Sequence, residues 1–563
     1  MPTRDELLAT LTASGAFELT TDESAGYPIR VYKNAPTSLR EVFAGTAVHA
    51  DRTFTVYGDE TLTFAEVHAK AAILARYLMD NGVAKGDRVA IGMRNYPEWI
   101  ISFWACQAIG AVVVALNAWW VAAELAFALE DSAPKALLID GERLERIWPL
   151  PPALGEVLVV VARRGGGPSG GVEFAEATSG PAREPPPADI GPHDVATILY
   201  TSGITGRPKG AVATQRNHIT NLMNALLAGE LARIARGTPD DFVAPQGGVL
   251  QTFPFFHIGG MGVLNHSATI GAKLVLMYKW NAVEAVDLVE KHGLTNTGGV
   301  PTVVRQFLEA AAGRGLNTLA GLGSAGAPLP PALFSRIGAQ FEQRVAPINA
   351  FGLTETTGAV ITNGGADYFA HPDSVGRPVA TCQIKIVDSA GCEVAQGEIG
   401  ELWMRGPNII AGYWRNPEAT DAAFCAGWFR SGDLGYVDAD GMYYVVDRMK
   451  DVIIRGGENV YCAEVEAALL EHPLVRDAAV IGLPHAEYGE EVAAVIQVDP
   501  ANWTPGLEQE LHSNLAAKLA RFKAPTVLRI TGDDLARTAT GKVLKREIRA
   551  QFFPETAAST VTK

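Results

Sequence analysis

A short polar loop, YTSGITGRPKGA from Tyr200 to Ala211, follows the apolar run VATIL and combines glycines, hydroxyl side chains and a lysine. Glycines let backbone N–H groups converge on an anion without obstruction by Cβ atoms, and hydroxyls donate to phosphate oxygens. The loop is therefore predicted to bind phosphate, through Thr201, Ser202, Gly203, Thr205, Gly206 and Lys209. It is not a Walker loop, because Gly210 follows Lys209 where that motif has Ser or Thr.

Three later segments also carry groups that suit a nucleotide. In GLTETTG, Thr354 offers a hydroxyl and Glu355 offers the carboxylate oxygen that Mg²⁺ prefers. Asp433 in SGDLG can accept hydrogen bonds, and Lys542 in TATGKVLK can supply a positive charge. Each segment taken alone is also compatible with a solvated turn, since most charged side chains lie at the surface.

Taken in order, these segments resemble the signatures of the adenylate-forming superfamily, which contains acyl-CoA synthetases, aryl-CoA ligases, peptide-synthetase adenylation domains and firefly luciferase. The resemblance extends from about Leu39 to Arg549. Besides the phosphate loop, it rests on NAFGLTETTG (349–358), WFRSGDLGYVD (428–438), DRMKDVIIRGGENVYCAEVE (447–466) and RTATGKVLKREIR (537–549). It implies ATP, Mg²⁺ and coenzyme A as co-substrates and cofactor.

The resemblance also implies roles around the nucleotide. Thr354 would contact the α-phosphate, and Glu355 would hold the Mg²⁺ ion. Phe351 would lie against the adenine, while Asp433 and Arg448 would bind the ribose.

A second group of roles concerns catalysis and the acceptor. Lys542 matches the essential lysine of the superfamily, whose positive charge would stabilise charge gathering on the α-phosphate oxygens. Lys450 matches a hinge about which the C-terminal domain swings, presenting Gly456 and Gly457 to the pantetheine arm of coenzyme A. His257 matches a residue between this tunnel and the acyl pocket.

The acid substrate is predicted from the residues that would line its pocket. Gly326, Ala327 and Pro328 match the wall between acyl pocket and adenine, in a GLGSAG stretch whose following prolines exclude a dinucleotide-binding helix. The other candidates are Phe255, Phe256, Met261, Val300 and Ser324. No aspartate stands beside them to pair with an amino group. A medium- to long-chain fatty acid is preferred; the alternatives are an aryl or cinnamic acid, acyl transfer to a carrier protein, and a nucleotide-binding scaffold without activity.

Three positions depart from the family pattern. Ile204 replaces the more usual threonine of the phosphate loop and removes one hydroxyl. Cys462 and Ala536 stand where proline is usual, so both loops are expected to be more flexible than is typical.

Apolar β-rich runs such as RVAIGM, AVVVAL and KALLID alternate with helical patterns, which is typical of α/β layers. With the resemblance, the predicted fold is a large multi-lobed N-terminal domain over residues 1–449, built from two α/β layered subdomains and a small β-rich subdomain. A small mobile α+β C-terminal domain over residues 450–563 would follow. The stretch rich in Gly and Pro at 163–192 is interpreted as an exposed connection.

Composition limits the partners. The 563 residues exceed one ordinary core, and the net charge of -15 argues against nonspecific nucleic-acid binding. Five scattered cysteines suggest neither a disulfide framework nor a zinc site. No signal peptide is recognised, and polar residues divide the apolar segment 104–129 into pieces too short to span a bilayer. A cytoplasmic enzyme is expected, with peripheral membrane contact and a homodimer left open.

Overall fold

The structure is a computed structural model, and it describes residues 3–24, 26–181, 184–185, 187–201, 208–239, 245–326, 331–538 and 541–554. The chain forms two large sheets, one small sheet and a C-terminal sheet. A two-stranded ribbon near the N-terminus pairs Leu19–Asp22 with Ile29–Tyr32.

The first large sheet has eight strands, with a parallel centre and antiparallel pairing at the edge that carries the phosphate loop. Val195–Thr201 and Lys209–Thr214 pair antiparallel, so the loop joins two adjacent strands. Ser202, Gly203, Thr205 and Gly206 lie outside the described residues. In spatial order the strands are Gly412–Tyr413, Lys209–Thr214, Val195–Thr201, Val112–Ala115, Arg88–Gly92, Ala136–Asp140, Leu158–Ala162 and Val172–Glu173.

The second large sheet has nine strands and is parallel at its centre. The carboxyl ends of its parallel strands meet at one edge, which is where ligands bind in open α/β sheets. In spatial order the strands are Arg377–Pro378, Gly358–Gly364, Ala346–Leu353, Gly321–Ala325, Asn296–Gly299, Gly248–Gln251, Lys273–Leu276, Thr53–Tyr57 and Glu60–Thr63.

Helices cover both large sheets, as the alternation of patterns predicts. The helix Pro97–Ile109 is buried along almost its whole length, because Trp99, Phe103 and Trp104 pack into the main apolar core. Its first residue is proline, and Gly110 ends it with φ 71°, a left-handed conformation that glycine adopts without strain. The other helices of this region are Arg4–Ala13, Leu39–Gly45, Phe64–Asp80, Ala122–Ser132, Gly141–Ile147, Phe174–Ala177, Gln215–Ala235, Ile258–Ile270, Ala282–His292, Pro301–Ala310, Pro331–Gln340, Gly365–Ala370 and Pro417–Ala423.

The apolar segment 104–129 divides into the end of one helix, the strand Val112–Ala115 and most of the helix Ala122–Ser132. Within the described part of the chain, no helix has the length and apolar character needed to cross a bilayer. The predicted strand within this segment is confirmed.

A small antiparallel sheet follows the second large sheet, and it corresponds to the predicted β-rich subdomain. Its strands are Gln383–Val387, Gly400–Arg405, Trp428–Val437, Phe424–Cys425 and Tyr443–Arg448. The C-terminal sheet consists of Glu458–Val460, Ile453–Arg455, Gly489–Val498, Val475–His485 and Val527–Thr531. The helices Cys462–Leu470, Leu507–Lys518 and Lys545–Phe552 accompany it. The predicted α/β architecture, a large N-terminal part and a small C-terminal part, is confirmed, while the exact boundary at residue 450 stays a prediction.

One local expectation differs from what is observed. The connection 163–192 includes the strand Val172–Glu173 and the helix Phe174–Ala177, and Phe174 packs into the core. Cys462 is buried at the first position of its helix, and its Sγ donates to the carbonyl oxygen of Asp451 at 2.9 Å. This contact ties the segment where proline is usual to Asp451, and the flexibility expected of this loop stays a prediction.

Candidate active site

A cavity of about 2700 Å³ extends from the carboxyl edge of the second large sheet along one face of its strands. One wall is the edge of the first large sheet at Thr201 and Lys209, and another is the C-terminal segment around Lys542. The cavity exceeds the usual 300–1,000 Å³ of a small-molecule pocket, which is consistent with a site for more than one substrate.

Glu355 enters the cavity from a 3₁₀ turn, Thr354–Thr356, directly after the strand Ala346–Leu353. Its Oε1 accepts a hydrogen bond from the Tyr413 hydroxyl at 2.8 Å. The Lys209 Nζ lies 5.5 Å from the centre of the Tyr413 ring, so this tyrosine connects the phosphate loop with the carboxylate. The described residues provide no hydrogen bond to Glu355 Oε2. A free carboxylate oxygen beside a phosphate loop fits Mg²⁺, which commonly takes one or two carboxylates together with substrate phosphates.

Asp433 and Arg448 face each other on paired strands of the small sheet. Arg448 Nε lies 2.6 Å from Asp433 Oδ1, whereas Oδ2 is buried without a hydrogen-bond partner among the described residues. Burial raises the pKa of Asp433 to about 6, although the charges of Arg448 and Lys542 oppose the shift. A buried acceptor without a donor requires an explanation, and a ligand hydroxyl supplies one.

Lys542 reaches the cavity from a tight turn of the C-terminal part. Its backbone N–H donates to Thr538 Oγ1 at 3.0 Å, and Gly541 has φ +84°. A Cβ built at Gly326 would lie 4.0 Å from Lys542 Cε, which places the lysine against the predicted wall of the acyl pocket. Burial and the nearby Arg448 lower the pKa of Lys542, whereas Asp433 and Glu355 act in the opposite direction.

His257 precedes the helix Ile258–Ile270 and caps it. Its Nδ1 accepts from the Gly259 backbone N–H at 3.1 Å. Burial, together with the charge of Lys542, lowers the pKa of His257 to about 4. The imidazole is therefore neutral near pH 7, with its proton on Nε2.

Below His257 the cavity continues between two helices and one face of the sheet. The helix Gln215–Ala235 contributes Ala225, Ala228, Gly229 and Ala232, and the helix Ile258–Ile270 contributes Gly262, Val263, His266 and Ile270. The sheet contributes three cross-strand pairs: Gly321 with Ala346, Gly323 with Ile348, and Ala325 with Ala350. The alanines and glycines in this set are small, so they leave room beside the strands.

Most of the predicted site residues that the structure describes meet in this cavity. The lining includes Thr201, Lys209, Phe256, His257, Ser324, Gly326, Thr354, Glu355, Arg448, Lys450 and Lys542. Asp433 lies directly behind them, paired with Arg448. Ala327 and Pro328 fall outside the described residues.

Some candidates are placed elsewhere. Phe255 and Met261 are fully buried in the main core, where Phe255 stacks on Trp99 at 4.9 Å. Phe351 packs against the apolar cluster of the small sheet and does not line the cavity. Val300 contacts the Lys542 turn instead, since a Cβ at Gly541 would lie 2.5 Å from its Cγ2.

The predicted coenzyme A loop lies apart from the cavity. Gly456 and Gly457 form the exposed turn between Ile453–Arg455 and Glu458–Val460, with φ +61° and +89°. Gly456 N–H donates to the Tyr488 carbonyl at 2.8 Å. The structure therefore brings Lys542 to the nucleotide region and keeps the glycine turn away from it.

Sequence reasoning missed Tyr413, Asn221 and His266. Tyr413 stands in AGYWRNP, which contains no motif of its own. Asn221 and His266 line the cavity from the two facing helices. Helical spacing relates Asn221 to Ala225, Ala228 and Ala232, and this pattern of small and polar residues was the available signal.

Comparison with known proteins agrees with the site. Residues 42–414 match the AMP-binding enzyme family, and residues 464–542 match the AMP-binding enzyme C-terminal domain. A feruloyl-CoA synthase from Amycolatopsis sp is 36% identical over 499 residues, covering 88% of this chain and 95% of that protein. The long-chain-fatty-acid–CoA ligase FadD13 of Mycobacterium tuberculosis is 32% identical over 508 residues, covering 88% and 94%.

A solved structure, the o-succinylbenzoate coenzyme A synthetase (MenE) of Bacillus subtilis in complex with ATP and magnesium ion, superposes with a TM-score of 0.75. It is 28% identical, and the match covers 90% of this chain and 98% of that one. The relatives named here are CoA ligases, and this structure holds ATP and magnesium. The chain therefore belongs to the AMP-binding enzymes of the adenylate-forming superfamily and is an AMP-forming acid–thiol ligase.

Proposed function

We propose that this ligase activates a medium- to long-chain carboxylic acid, with a fatty acid as the first candidate, and transfers the acyl group to coenzyme A. The observation that carries this proposal is the continuous cavity from Lys542, Glu355 and Thr354 to the far edge of the second large sheet. The acid would place its carboxylate at Lys542 and its carbon chain between the two helices.

The length of the cavity sets the scale of the acid. Ala346 and Gly352 both line it, and strands rise about 3.3 Å per residue, so this wall extends about 20 Å. A carbon–carbon bond of about 1.52 Å advances an extended chain by roughly 1.3 Å per carbon. The cavity thus has room for a chain of about 15 carbons.

In the first half-reaction, a carboxylate oxygen of the acid attacks the α-phosphorus of ATP and pyrophosphate leaves. Lys542 and the Thr354 hydroxyl would bind the α-phosphate oxygens, where negative charge increases in the transition state. Asp433 Oδ2, the buried acceptor without a donor, would accept from the ribose. Glu355 would hold Mg²⁺, which neutralises phosphate charge when it is bound.

In the second half-reaction, the thiol sulfur of coenzyme A attacks the acyl carbonyl and AMP leaves. Gly456 and Gly457 are exposed and outside the cavity, so their proposed contact with pantetheine requires the C-terminal part to rotate. The proposed hinge is Lys450, which lies in the 3₁₀ turn Met449–Asp451. The neutral His257 would then line the path between thiol and carbonyl.

An aromatic acid is the second candidate. Two observations favour it: the similarity to a feruloyl-CoA synthase, and the small residues on both cavity walls, which leave width for a ring. Hydrophobic pockets discriminate weakly between acids that differ by a few methylenes, so width and length must be tested together.

The test is AMP formation from ATP and Mg²⁺, measured with and without coenzyme A, over straight-chain acids of increasing length, benzoic acid, cinnamic acid and amino acids. The proposal predicts a maximum in kcat/KM among acids of about 8 to 15 carbons, for which the cavity has room. A maximum on benzoic or cinnamic acid would replace the fatty acid by the second candidate. AMP formation without consumption of coenzyme A would indicate a carrier-protein acceptor.

A further inference from the structure

Two polar side chains face the channel below His257 and have no hydrogen-bond partner among the described residues. Asn221 projects from the helix Gln215–Ala235, and His266 projects from the helix Ile258–Ile270. Both are half-buried and both line the cavity. Many of the residues around them in the channel walls are alanines, glycines and aliphatic residues.

Contacts define the depth of these side chains in the channel. A Cβ at Gly262 would lie 3.4 Å from Asn221 Nδ2, so Asn221 lies at the level of Gly262. His266 follows one helical turn later. At 1.5 Å per residue, Gly262 lies about 7 Å and His266 about 13 Å along this helix from His257. Asn221 also packs against Gly358 on the sheet side, where a Cβ would lie 2.4 Å from its Oδ1, so both polar side chains line the channel beyond His257.

Two neighbouring groups show the same lack of partners. Ser267, next to His266, is fully buried, and its Oγ has no hydrogen-bond partner in the described part of the chain. Gln251 also lines the cavity, and its Nε2 donates to the Phe253 carbonyl at 2.7 Å. Its buried Oε1 accepts no hydrogen bond from any residue that the structure describes. The wall of the proposed acyl channel thus carries unused donors and acceptors.

Binding a plain hydrocarbon chain would cost free energy, because it would bury these polar groups without hydrogen bonds. In the empty channel, water can solvate Asn221 and His266. An alkyl chain would displace that water and leave a carboxamide and an imidazole unpaired in an apolar space, which costs more than a normal hydrogen bond contributes. Burial also lowers the pKa of His266, so the ring is neutral and offers one donor and one acceptor.

Resting on the proposed function, we infer that the physiological acid carries a hydroxyl, ether or carbonyl oxygen remote from its carboxylate, bound by Asn221 and His266. These two residues set specificity and take no part in the chemistry. The same recognition serves a hydroxylated aliphatic acid or a ring-substituted aromatic acid, because both place one oxygen at this depth.

The experiment compares matched acids: decanoic with omega-hydroxydecanoic acid, and cinnamic with para-hydroxycinnamic and ferulic acids. We expect kcat/KM to be about 10- to 100-fold higher for the oxygenated member of at least one pair, since a site built for a hydrogen bond rejects the analogue that lacks it. The pair that shows the preference identifies the aliphatic or the aromatic source.

Variants then test whether Asn221 and His266 cause the preference for the oxygenated acid. His266→Leu and Asn221→Leu should each remove most of it while leaving the unsubstituted acid within about threefold, and His266→Gln should restore part of it. Val263→Ala, on the same face, changes the width of the channel but no hydrogen bond, so it should affect both acids alike. Circular dichroism and thermal unfolding confirm that each variant is folded.

Equal or better use of the unsubstituted acids, with no change in that ratio in the His266 and Asn221 variants, would overturn the inference while the ligase function stands. Failure of every acid to support pyrophosphate release would overturn the proposed function, and this inference with it.

Discussion

Gly541→Ala tests whether the turn that carries Lys542 must pack closely against Val300 for adenylation. Gly541 has φ +84°, and a Cβ there would lie 2.5 Å from Val300 Cγ2 on the opposite wall. The left-handed conformation costs a non-glycine residue about 1–2 kcal/mol, and moving Val300 off its rotamer costs roughly 1 kcal/mol more. Together these terms of about 2–3 kcal/mol predict a 30- to 150-fold slower adenylation.

The assay separates the two half-reactions. Adenylation is measured as acid-dependent exchange of labelled pyrophosphate into ATP, and thioesterification as acyl-CoA formation from supplied acyl-adenylate. Gly541→Ala should slow the first reaction and leave the second within about twofold. Combining it with Val300→Ala removes the collision but not the backbone strain, so the double variant should recover about fivefold.

Gly397→Ala is the matched control, because Gly397 has φ +88° with no atom near the position of a Cβ. It should lower stability by the strain alone and leave both half-reactions unchanged. Equal loss of the two half-reactions in Gly541→Ala, or no loss in adenylation, would refute the docking role.

Three further predictions concern the nucleotide region. The Asp433 carboxylate should be needed for ribose binding. Burial raises its pKa to about 6 from an unfolded value near 3.8, so the group stays protonated up to a higher pH in the free protein than in the unfolded chain. Its contribution to the stability of the free protein is therefore present below pH 3.8 and lost as pH rises through about 6. As pH rises through about 6 and Asp433 ionises, ATP should bind more tightly, so the KM for ATP of the wild type should rise as pH falls below 6. Asp433→Asn should raise this KM and make it nearly independent of pH. Tyr413→Phe removes the 2.8 Å hydrogen bond to Glu355. At saturating ATP, it should raise the Mg²⁺ concentration for half-maximal activity about fivefold. An unchanged Mg²⁺ concentration would show that Tyr413 does not position Glu355. Lys542→Ala should slow pyrophosphate exchange by at least about 100-fold and spare acyl transfer from supplied acyl-adenylate, whereas parallel loss would contradict the assigned role.

Sequence patterns predicted the layered fold because apolar strand runs and helical periodicity are local properties. The motifs also predicted that Glu355, Asp433 and Lys542 would converge, although they lie far apart in the chain, since the family resemblance supplied the long-range information. The pairing of Asp433 with Arg448 across two strands is a consequence of register, which the motifs alone do not specify.

The channel could not be predicted in the same way. Phe255 and Met261 are apolar and close to His257 in sequence. Met261 lies on the helix and Phe255 in the preceding turn, and both side chains point into the core. The width of the channel depends instead on pairs such as Gly323 with Ile348, which only the sheet register brings together. Asn221 and His266 belong to no motif, and their importance follows from packing of two helices distant in sequence.

The most direct test of the central claim is a single-turnover experiment with purified protein, ATP, Mg²⁺ and an acid that supports activity, quenched and analysed for acyl-AMP and acyl-CoA. The account predicts that acyl-AMP accumulates without coenzyme A, in amounts equal to the pyrophosphate released, and converts to acyl-CoA and AMP when coenzyme A is added. Formation of acyl-CoA with ADP as the nucleotide product, or without any acyl-AMP, would contradict it.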